Sequence, residues 1–521
     1  MGRLSGIGIG DWVTMNARRN PNQDCFVSPE LSVTYGEVES RVNRLGRALT
    51  ARGISAGDRI SVLSTDSIAY LELLLASMKI GATAVPLNFR LSEPEIENLL
   101  KTSQPSAHFV SSRYSASLDS ARRVSTGLRF TAALDTTTAA DETLEGLIGS
   151  VADDSPLDAV VADEAVLCLA LTSGTTGVPK GVQQSQRMLK TIIQSGVYEL
   201  GLRPGDLLYS GAPLFHVSGM GHVLYGVLRG CASLILPQFH TATVLDWMQN
   251  RKVTHCMLVP SMVISLLAEP AVANHDYRDL RSIMYGGAPM PPSVVRRMIE
   301  VFDCDLYNGF GAGTEAGGQT MFRPEDHRRA MAGEEHLLGS IGRPVMGVDL
   351  RLIDEAGNDV PRGSVGEIAT RSDSVMSGYL DQPDLTAKAV VDGWFRAGDL
   401  GWMDADGYIF LGGRSNDMII RGGENVYPVE IEGVLAEMPG VEEVAVIGSP
   451  DTYWGEVVLA VVRTRADQRF TLETLQGHCR GRLAGYKIPE ALVFVDEFPR
   501  NSTGKILKGD LRRDLLRGVT P

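Results

Sequence analysis

The segment Leu171-Thr172-Ser173-Gly174-Thr175-Thr176-Gly177-Val178-Pro179-Lys180-Gly181 constrains this chain more than any other. A short apolar run, Val166–Leu171, leads into it, and a helical pattern begins at Gln186. Glycines let the backbone turn its N–H groups toward an anion, and the hydroxyls of Thr172, Ser173, Thr175 and Thr176 add donors. Lys180 supplies a point charge for phosphate oxygens. A buried strand opening into such a loop is the usual ligand position in an open α/β sheet. A plain Gly/Thr-rich surface turn does not account for hydroxyls, glycines and a lysine coinciding after a strand. Gly181 follows Lys180 where a Walker loop has Ser or Thr, which speaks against a kinase or GTPase of the usual type.

Elsewhere the chain repeats one grammar: a short apolar run, a Gly- or Pro-bearing loop, then a helical pattern. Arg59–Leu63 and Ala82–Leu87 read as strands around the apolar helix Ser67–Met78. His255–Val259 leads through Pro260 into the helical Met262–Leu267, and Leu280–Tyr285 leads through Gly286-Gly287 into Pro292–Phe302. Alternating strands and helices imply an α/β fold with largely parallel sheets. The polar stretch Asp135–Asp154 reads as a surface excursion. The texture changes near Gly412–Asp417. Beyond it come strands at Val444–Gly448 and Val457–Val462, a helix at Leu472–Leu483 and a basic tail. The expectation is a large N-terminal α/β domain, residues 1–415, and a small C-terminal α+β domain, residues 416–521.

With 521 residues, 44% hydrophobic and 21% charged, the chain is long enough for two domains with large cores. Its formal net charge of −14 argues against a general nucleic-acid binder, which needs surplus Lys and Arg. A phosphorylated small molecule needs only local positive charge. The six cysteines form no CxxC pair, which fits a reducing compartment rather than a zinc ribbon or disulfide scaffold. No secretory h-region and no apolar run of membrane-spanning length is read. A cytoplasmic globular protein is expected.

Taken with the motifs that follow it, the loop resembles that of the adenylate-forming superfamily of acyl-CoA synthetases, peptide-synthetase adenylation domains and firefly luciferase. The resemblance runs from about Asn16 to Lys508, and it is strongest to acyl-CoA synthetases. It implies that Thr172, Ser173, Gly174, Thr175, Thr176, Gly177 and Lys180 bind ATP. Phe395-Arg396-Ala397-Gly398-Asp399-Leu400-Gly401 is similar to the segment whose Asp binds the ribose hydroxyls, and Arg414 to an arginine that also reaches the ribose. Gly309-Phe310-Gly311-Ala312-Gly313-Thr314-Glu315 resembles the segment holding adenine, phosphate and Mg²⁺. Glu315 is the implied Mg²⁺ ligand with Thr172 facing the same ion, and Thr314 contacts the phosphate under attack. The usual Tyr-Gly-Xaa-Thr-Glu is altered here. Without a gap Gly311 takes the adenine-stacking position, and with one extra residue Phe310 does. Phe310 is favoured because it restores a stacking surface.

Pro499-Arg500-Asn501-Ser502-Thr503-Gly504-Lys505 resembles the motif bearing the catalytic lysine, here Lys505. Pro213–Gly219 resembles a motif in which His216 borders the acyl pocket. Gly286-Gly287-Ala288-Pro289 resembles a turn between adenine and the acyl group, with Gly287 and Ala288 on the nucleotide side and Gly286 on the acyl side. In the family the small domain is mobile and rotates between two half-reactions. Asn416 stands at the matching hinge position, where Asp or Lys is common. Arg421–Pro428 resembles the segment lining the thiol tunnel, with Gly422 where pantetheine passes.

The implied activity is an AMP-forming acid–thiol ligase using ATP, Mg²⁺ and coenzyme A. Its substrate would be an apolar carboxylic acid, first a medium or long-chain fatty acid and next an aryl acid. The expected wall segments His216–Gly221, Met257–Met262 and Tyr285–Pro289 hold no Lys or Arg to pair with a second carboxylate. A stand-alone enzyme loading a carrier protein is an alternative acceptor reading, and the resemblance leaves a homodimer open. A regulatory nucleotide-binding protein without chemistry is the alternative from another class. Lys180, Glu315, Asp399, Arg414 and Lys505 occurring together argue against it.

Overall fold

The computed structural model describes residues 6–136, 139–172, 180–288, 290–414, 417–422, 424–465, 468–500 and 506–515, with backbone alone at 172, 414 and 425. Helix Ile68–Ile80 shows how its main core is built. The Ser67 hydroxyl accepts from Tyr70 N–H at 3.2 Å to start the helix, and Gly81 ends it at φ +74°. Leu71, Leu73, Leu74, Leu75 and Met78 are each at most 2% exposed. A helix apolar on all sides must be covered on all sides. It shares one core with helices Tyr35–Ala51 and Val217–Arg229, and that core takes in strands of both large sheets.

Among the described residues the chain forms four sheets. In the nine-stranded sheet, Leu207–Ser210, His255–Leu258, Ser282–Gly286 and Asp305–Phe310 lie side by side and parallel. The eight-stranded sheet is parallel through Thr83–Pro86, Arg59–Leu63, Ala107–Val110 and Phe130–Ala133. These two sheets are the parallel α/β body expected from the alternating pattern. A third sheet, within residues 349–414, is antiparallel throughout. The fourth lies C-terminal to it, with the long pair Val441–Asp451 and Gly455–Thr464 at its centre. Helices Pro428–Ala436 and Leu472–Cys479 contribute Ile431, Leu435, Leu475 and Cys479 to its core.

Three local expectations need correction. The stretch Asp135–Asp154 is not only a surface excursion. Strand Glu142–Thr143 extends the eight-stranded sheet, and helix Leu144–Gly149 buries Leu144, Leu147 and Ile148. Three apolar residues at helical spacing suffice, however polar their surroundings. The helix starting at Leu472 stops at Cys479, before Gly481 at φ +77°. The basic tail contains helix Lys508–Leu515, which buries Leu511 against Ala445, Ile447 and Val461.

Candidate functional site

Strand Val166–Thr172 does not feed a helix directly. It pairs antiparallel with Lys180–Ser185, the register ending at Thr172 opposite Lys180. The two ends of the phosphate-loop motif are therefore held side by side by paired strands. Ser173, Gly174, Thr175, Thr176 and Gly177 lie outside the described residues, as does the Thr172 side chain. The Lys180 ammonium stands 5.5 Å from the ring centroid of Tyr379. Tyr379 belongs to the two-residue strand Gly378–Tyr379, which pairs with the same hairpin, Tyr379 opposite Val182.

Glu315 reaches this point from the other side. It sits in the helical turn Gly313–Ala316, just after strand Asp305–Phe310. Tyr379 donates its hydroxyl to Glu315 Oε1 at 3.4 Å. Burial, and next the Glu315 carboxylate, push the Tyr379 hydroxyl well above its ordinary pKa. The turn is fastened by Met376 N–H donating to Glu315 O at 2.7 Å and Gln184 Nε2 donating to Thr314 O at 2.8 Å. No group of three or more His, Cys, Asp or Glu side chains suited to a metal occurs among the described residues. A single well-held carboxylate is the donor set Mg²⁺ uses when substrate phosphates and waters complete its shell, so Glu315 fits that ion.

Glycines allow close backbone packing in the strands that lead to this cluster. Gly286 and Gly309 are paired in register, and a Cβ on Gly286 would lie 2.3 Å from Gly309 O. Gly287 takes φ +85°, and both it and Ala288 are exposed. A Cβ on Gly311 would lie 2.1 Å from Gly317 O, so backbone packing leaves no room for a side chain there. Of the two candidates, only Phe310 carries a ring. It is half-buried against Ile341, Leu352, Ile368 and Ile409.

His216 caps helix Val217–Arg229, its Nδ1 accepting from Ser218 N–H at 3.3 Å. Burial, and next the Arg90 guanidinium, hold its pKa below the usual value. Arg90 lies 5.6 and 5.8 Å from the ring centroids of Phe89 and Phe215, which meet edge-on at 5.3 Å. An arginine thus stands beside the histidine expected on the acyl side, contributed by a segment outside the three expected walls. Asp66 Oδ1 accepts from Leu214 N–H at 2.9 Å, and burial raises that carboxyl to about 7. Asp66, Phe89, Arg90 and Tyr379 were missed in the sequence. The first three follow the C-terminal ends of Arg59–Leu63 and Thr83–Pro86, the strand ends at which parallel sheets place ligands.

Asp399 and Arg414 are direct cross-strand partners in the antiparallel pair Trp394–Met403 and Ile409–Arg414. Gly398 N–H donates to Glu367 Oε1 at 3.2 Å. The Arg414 side chain, Pro289, Asn416 and Lys505 lie outside the described residues. The neck of the Lys505 segment is described: Arg500 bridges Ile506, and Leu507 N–H donates to Pro499 O at 2.8 Å. Gly422 takes φ +58°, donates to Trp454 O at 2.7 Å, and would place a Cβ 2.7 Å from the Trp454 ring.

The model of the AMP-binding enzyme family matches residues 13–380, and that of the AMP-binding enzyme C-terminal domain matches 430–505. The chain is 36% identical over 509 residues to a feruloyl-CoA synthase of Amycolatopsis sp, covering 97% of this chain and 99% of that one. It is 34% identical over 507 residues to a long-chain-fatty-acid–CoA ligase of Mycobacterium tuberculosis, covering 97% and 98%. The solved anthranilate CoA ligase with bound anthranoyl-AMP superposes at a TM-score of 0.88 with 28% identity, covering 98% of this chain and 97% of that one. The chain belongs to the AMP-binding enzyme family and is an ATP-using, AMP-forming acid–thiol ligase. Among the described residues no helix is long and apolar enough to cross a membrane.

Proposed function

We propose that this enzyme joins an apolar monocarboxylic acid to coenzyme A through an acyl-adenylate. The observation that carries the reading is the meeting of Lys180 and Glu315 on Tyr379. One substrate carboxylate oxygen forms a bond to the α-phosphorus of ATP, the bond to the β-phosphate bridging oxygen breaks, and pyrophosphate leaves. No enzyme nucleophile is needed, so the residues position groups and stabilise charge. Lys180, Thr172, Ser173, Gly174, Thr175, Thr176 and Gly177 hold the departing phosphates, Thr314 the α-phosphate, and Asp399 with Arg414 the ribose. Glu315 and Thr172 would hold Mg²⁺, which when bound neutralises phosphate charge. Phe310, Gly287 and Ala288 enclose adenine. Gly286 and His216 border the acyl group.

Lys505 serves this first step from the C-terminal domain. In the second, the thiol sulfur of coenzyme A attacks the acyl carbon, AMP leaves and the thiol proton is released. Pantetheine passes Gly422. The domains meet at 415/416, with Asn416 as the hinge. Fatty and aryl acids both suit the walls around His216 and Met257. All six cysteines are free and five are buried, which supports a reducing, cytoplasmic setting.

Acid- and CoA-dependent AMP release over fatty, aryl and dicarboxylic acids tests the reading, with pyrophosphate release as the first-step readout. Carrier protein in place of coenzyme A tests the acceptor. Absence of acid-dependent pyrophosphate release over the whole panel sinks it.

A further inference from the structure

We propose that Glu456 and Arg512 are positioning residues for the thiol half-reaction, tying the strand that leads to Gly422 to helix Lys508–Leu515. This deepens the function proposed above and rests on its passage of pantetheine at Gly422. Strand Ile419–Arg421 pairs antiparallel with Glu424–Val426. Its hold on the rest of the sheet is slight. Among the described residues it meets strand Gly455–Thr464 at one register pair, Arg421 opposite Gly455. Gly422 N–H adds one bond to Trp454 O at 2.7 Å, in a turn that Asp451 Oδ1 fixes by accepting from Tyr453 and Trp454 N–H, each at 2.8 Å. The Arg421 side chain donates to Tyr486 O at 3.0 Å and pairs with Glu490, but it holds the strand through a long flexible stem. So few backbone bonds leave an element liable to local opening.

Where that ladder stops, a side chain takes over. Ile420 N–H donates to Glu456 Oε2 at 2.9 Å, so a carboxylate stands in for a strand carbonyl. Through Oε1 the same carboxylate pairs with the Arg512 guanidinium. Gly448, in the neighbouring strand Val441–Asp451, leaves room for it: a Cβ there would lie 2.7 Å from Glu456 Oε1. The Glu456 side chain is 19% exposed, so its charge is largely withdrawn from water and depends on these donors. Both bonds are charge-assisted, the stronger kind.

Arg512 is itself held. Lys508, Leu511 and Arg512 stand on one face of their helix at the spacing of neighbours. Leu511 is buried against the long strand pair, and Lys508 meets Glu432 Oε1 at 2.6 Å. That oxygen also accepts from Val446 N–H at 2.7 Å. The helix is therefore fixed to the sheet before Arg512 reaches Glu456. The path from Leu511 through Arg512 and Glu456 to Ile420 N–H ends two residues from Gly422. The arm that carries Lys505 has separate ties, Lys508 to Glu432 and Arg500 to Glu443. Loss of the Glu456–Arg512 pair should thus loosen the Gly422 strand and leave the Lys505 arm in place.

The test measures the two half-reactions separately in the full-length enzyme, using the acid with the fastest AMP release in the panel above and its acyl-adenylate. Thioester formation from supplied acyl-adenylate and coenzyme A should fall about tenfold in Glu456→Gln and in Arg512→Met, the rate equivalent of one charge-assisted hydrogen bond. Acid-dependent pyrophosphate release should stay within about twofold of wild type in both, since the Lys505 arm keeps its own ties. The double variant should lose little more than either single one, because the two residues act through one contact. Arg512→Lys keeps the charge and should recover part of the rate. Lys505 comes from the same domain, so retained pyrophosphate release shows that the domain is folded. Equal losses in the two half-reactions would assign the pair to stability alone and overturn the proposal, as would an unchanged thioester rate in both single variants. If Glu456→Gln does not fold, Arg512→Met and Arg512→Lys decide. A Gly422→Leu variant with an intact thiol step would instead overturn the passage of pantetheine at Gly422.

Discussion

The hydroxyl of Tyr379 lies 3.4 Å from Oε1 of Glu315, and the face of its ring receives the Lys180 ammonium at 5.5 Å. One tyrosine therefore touches an acidic and a basic residue proposed to hold the two ends of the same phosphate chain. Because Gly378–Tyr379 is hydrogen-bonded to the Lys180–Ser185 strand, the phenol moves with the hairpin. It is a positioning residue built into the loop's own sheet.

Tyr379→Phe keeps the ring and removes the hydroxyl, whereas Tyr379→Leu removes both contacts. A buried cation–π contact is worth about 0.5–2 kcal/mol, so Tyr379→Leu should slow acid-dependent ATP–pyrophosphate exchange by roughly tenfold, and Tyr379→Phe by less. The phenylalanine variant should also need more Mg²⁺ for half-maximal nucleotide binding, measured by calorimetry, since its Glu315 is less restrained. Equal loss in both variants without a change in metal dependence would leave the tyrosine with packing alone.

Glu315→Gln keeps the shape and removes the charge. Its adenylation rate should fall by about 10²–10³, as for loss of one preorganised charge contact, while the fold persists because the Thr314 and Glu315 carbonyls, not the carboxylate, fasten the turn. Titrating Mn²⁺ into enzyme with ATP should show the matching loss of affinity. Unchanged metal affinity would assign the ion to other ligands.

The two half-reactions should separate genetically. Lys505→Ala should lower acyl-adenylate formation by about 10²–10³ and spare thioester formation from supplied acyl-adenylate. Gly422→Leu should do the reverse. Its φ of +58° and the Trp454 ring 2.7 Å from the position of a Cβ leave no room for a side chain where pantetheine would pass. Stopped-flow pyrophosphate release and thioester chromatography read the two steps. Parallel losses in both variants would refute the division of labour.

The sequence was most legible where one apolar run makes one element. Pro292 at the first helical turn and the spacing of Val295, Met298 and Phe302 put helix Pro292–Phe302 where it was expected. Lys180–Ser185 was unreadable as a strand because Gln183 and Gln184 break the alternation, and buried Gln184 is tolerated by its bond to Thr314 O. The Asp399–Arg414 register is a long-range pairing that no local pattern encodes. Tyr379 sits in a Gly-bearing polar stretch whose value appears only once it is set beside a hairpin almost two hundred residues earlier in the chain. Motif resemblance therefore named the charges, but the groups that orient them come from strand pairing.

Asp66 supplies a prediction in pH. Burial raises its carboxyl to about 7, partly offset by the Leu214 N–H and by Arg90, whereas an unfolded aspartate titrates near about 3.9. Between these values the folded chain holds a proton that the unfolded chain releases. The unfolded state then binds fewer protons, so stability falls as pH rises from about 4 to about 7 and levels off above that. Asp66→Asn keeps an acceptor for Leu214 N–H and removes the titration. Thermal midpoints of wild type and variant should coincide near pH 4.5, and the variant should unfold several degrees higher at pH 8. Differential scanning calorimetry across that range checks it. A constant offset at both pH values would show that Asp66 is ionised throughout, and that Arg90 outweighs the burial beside His216.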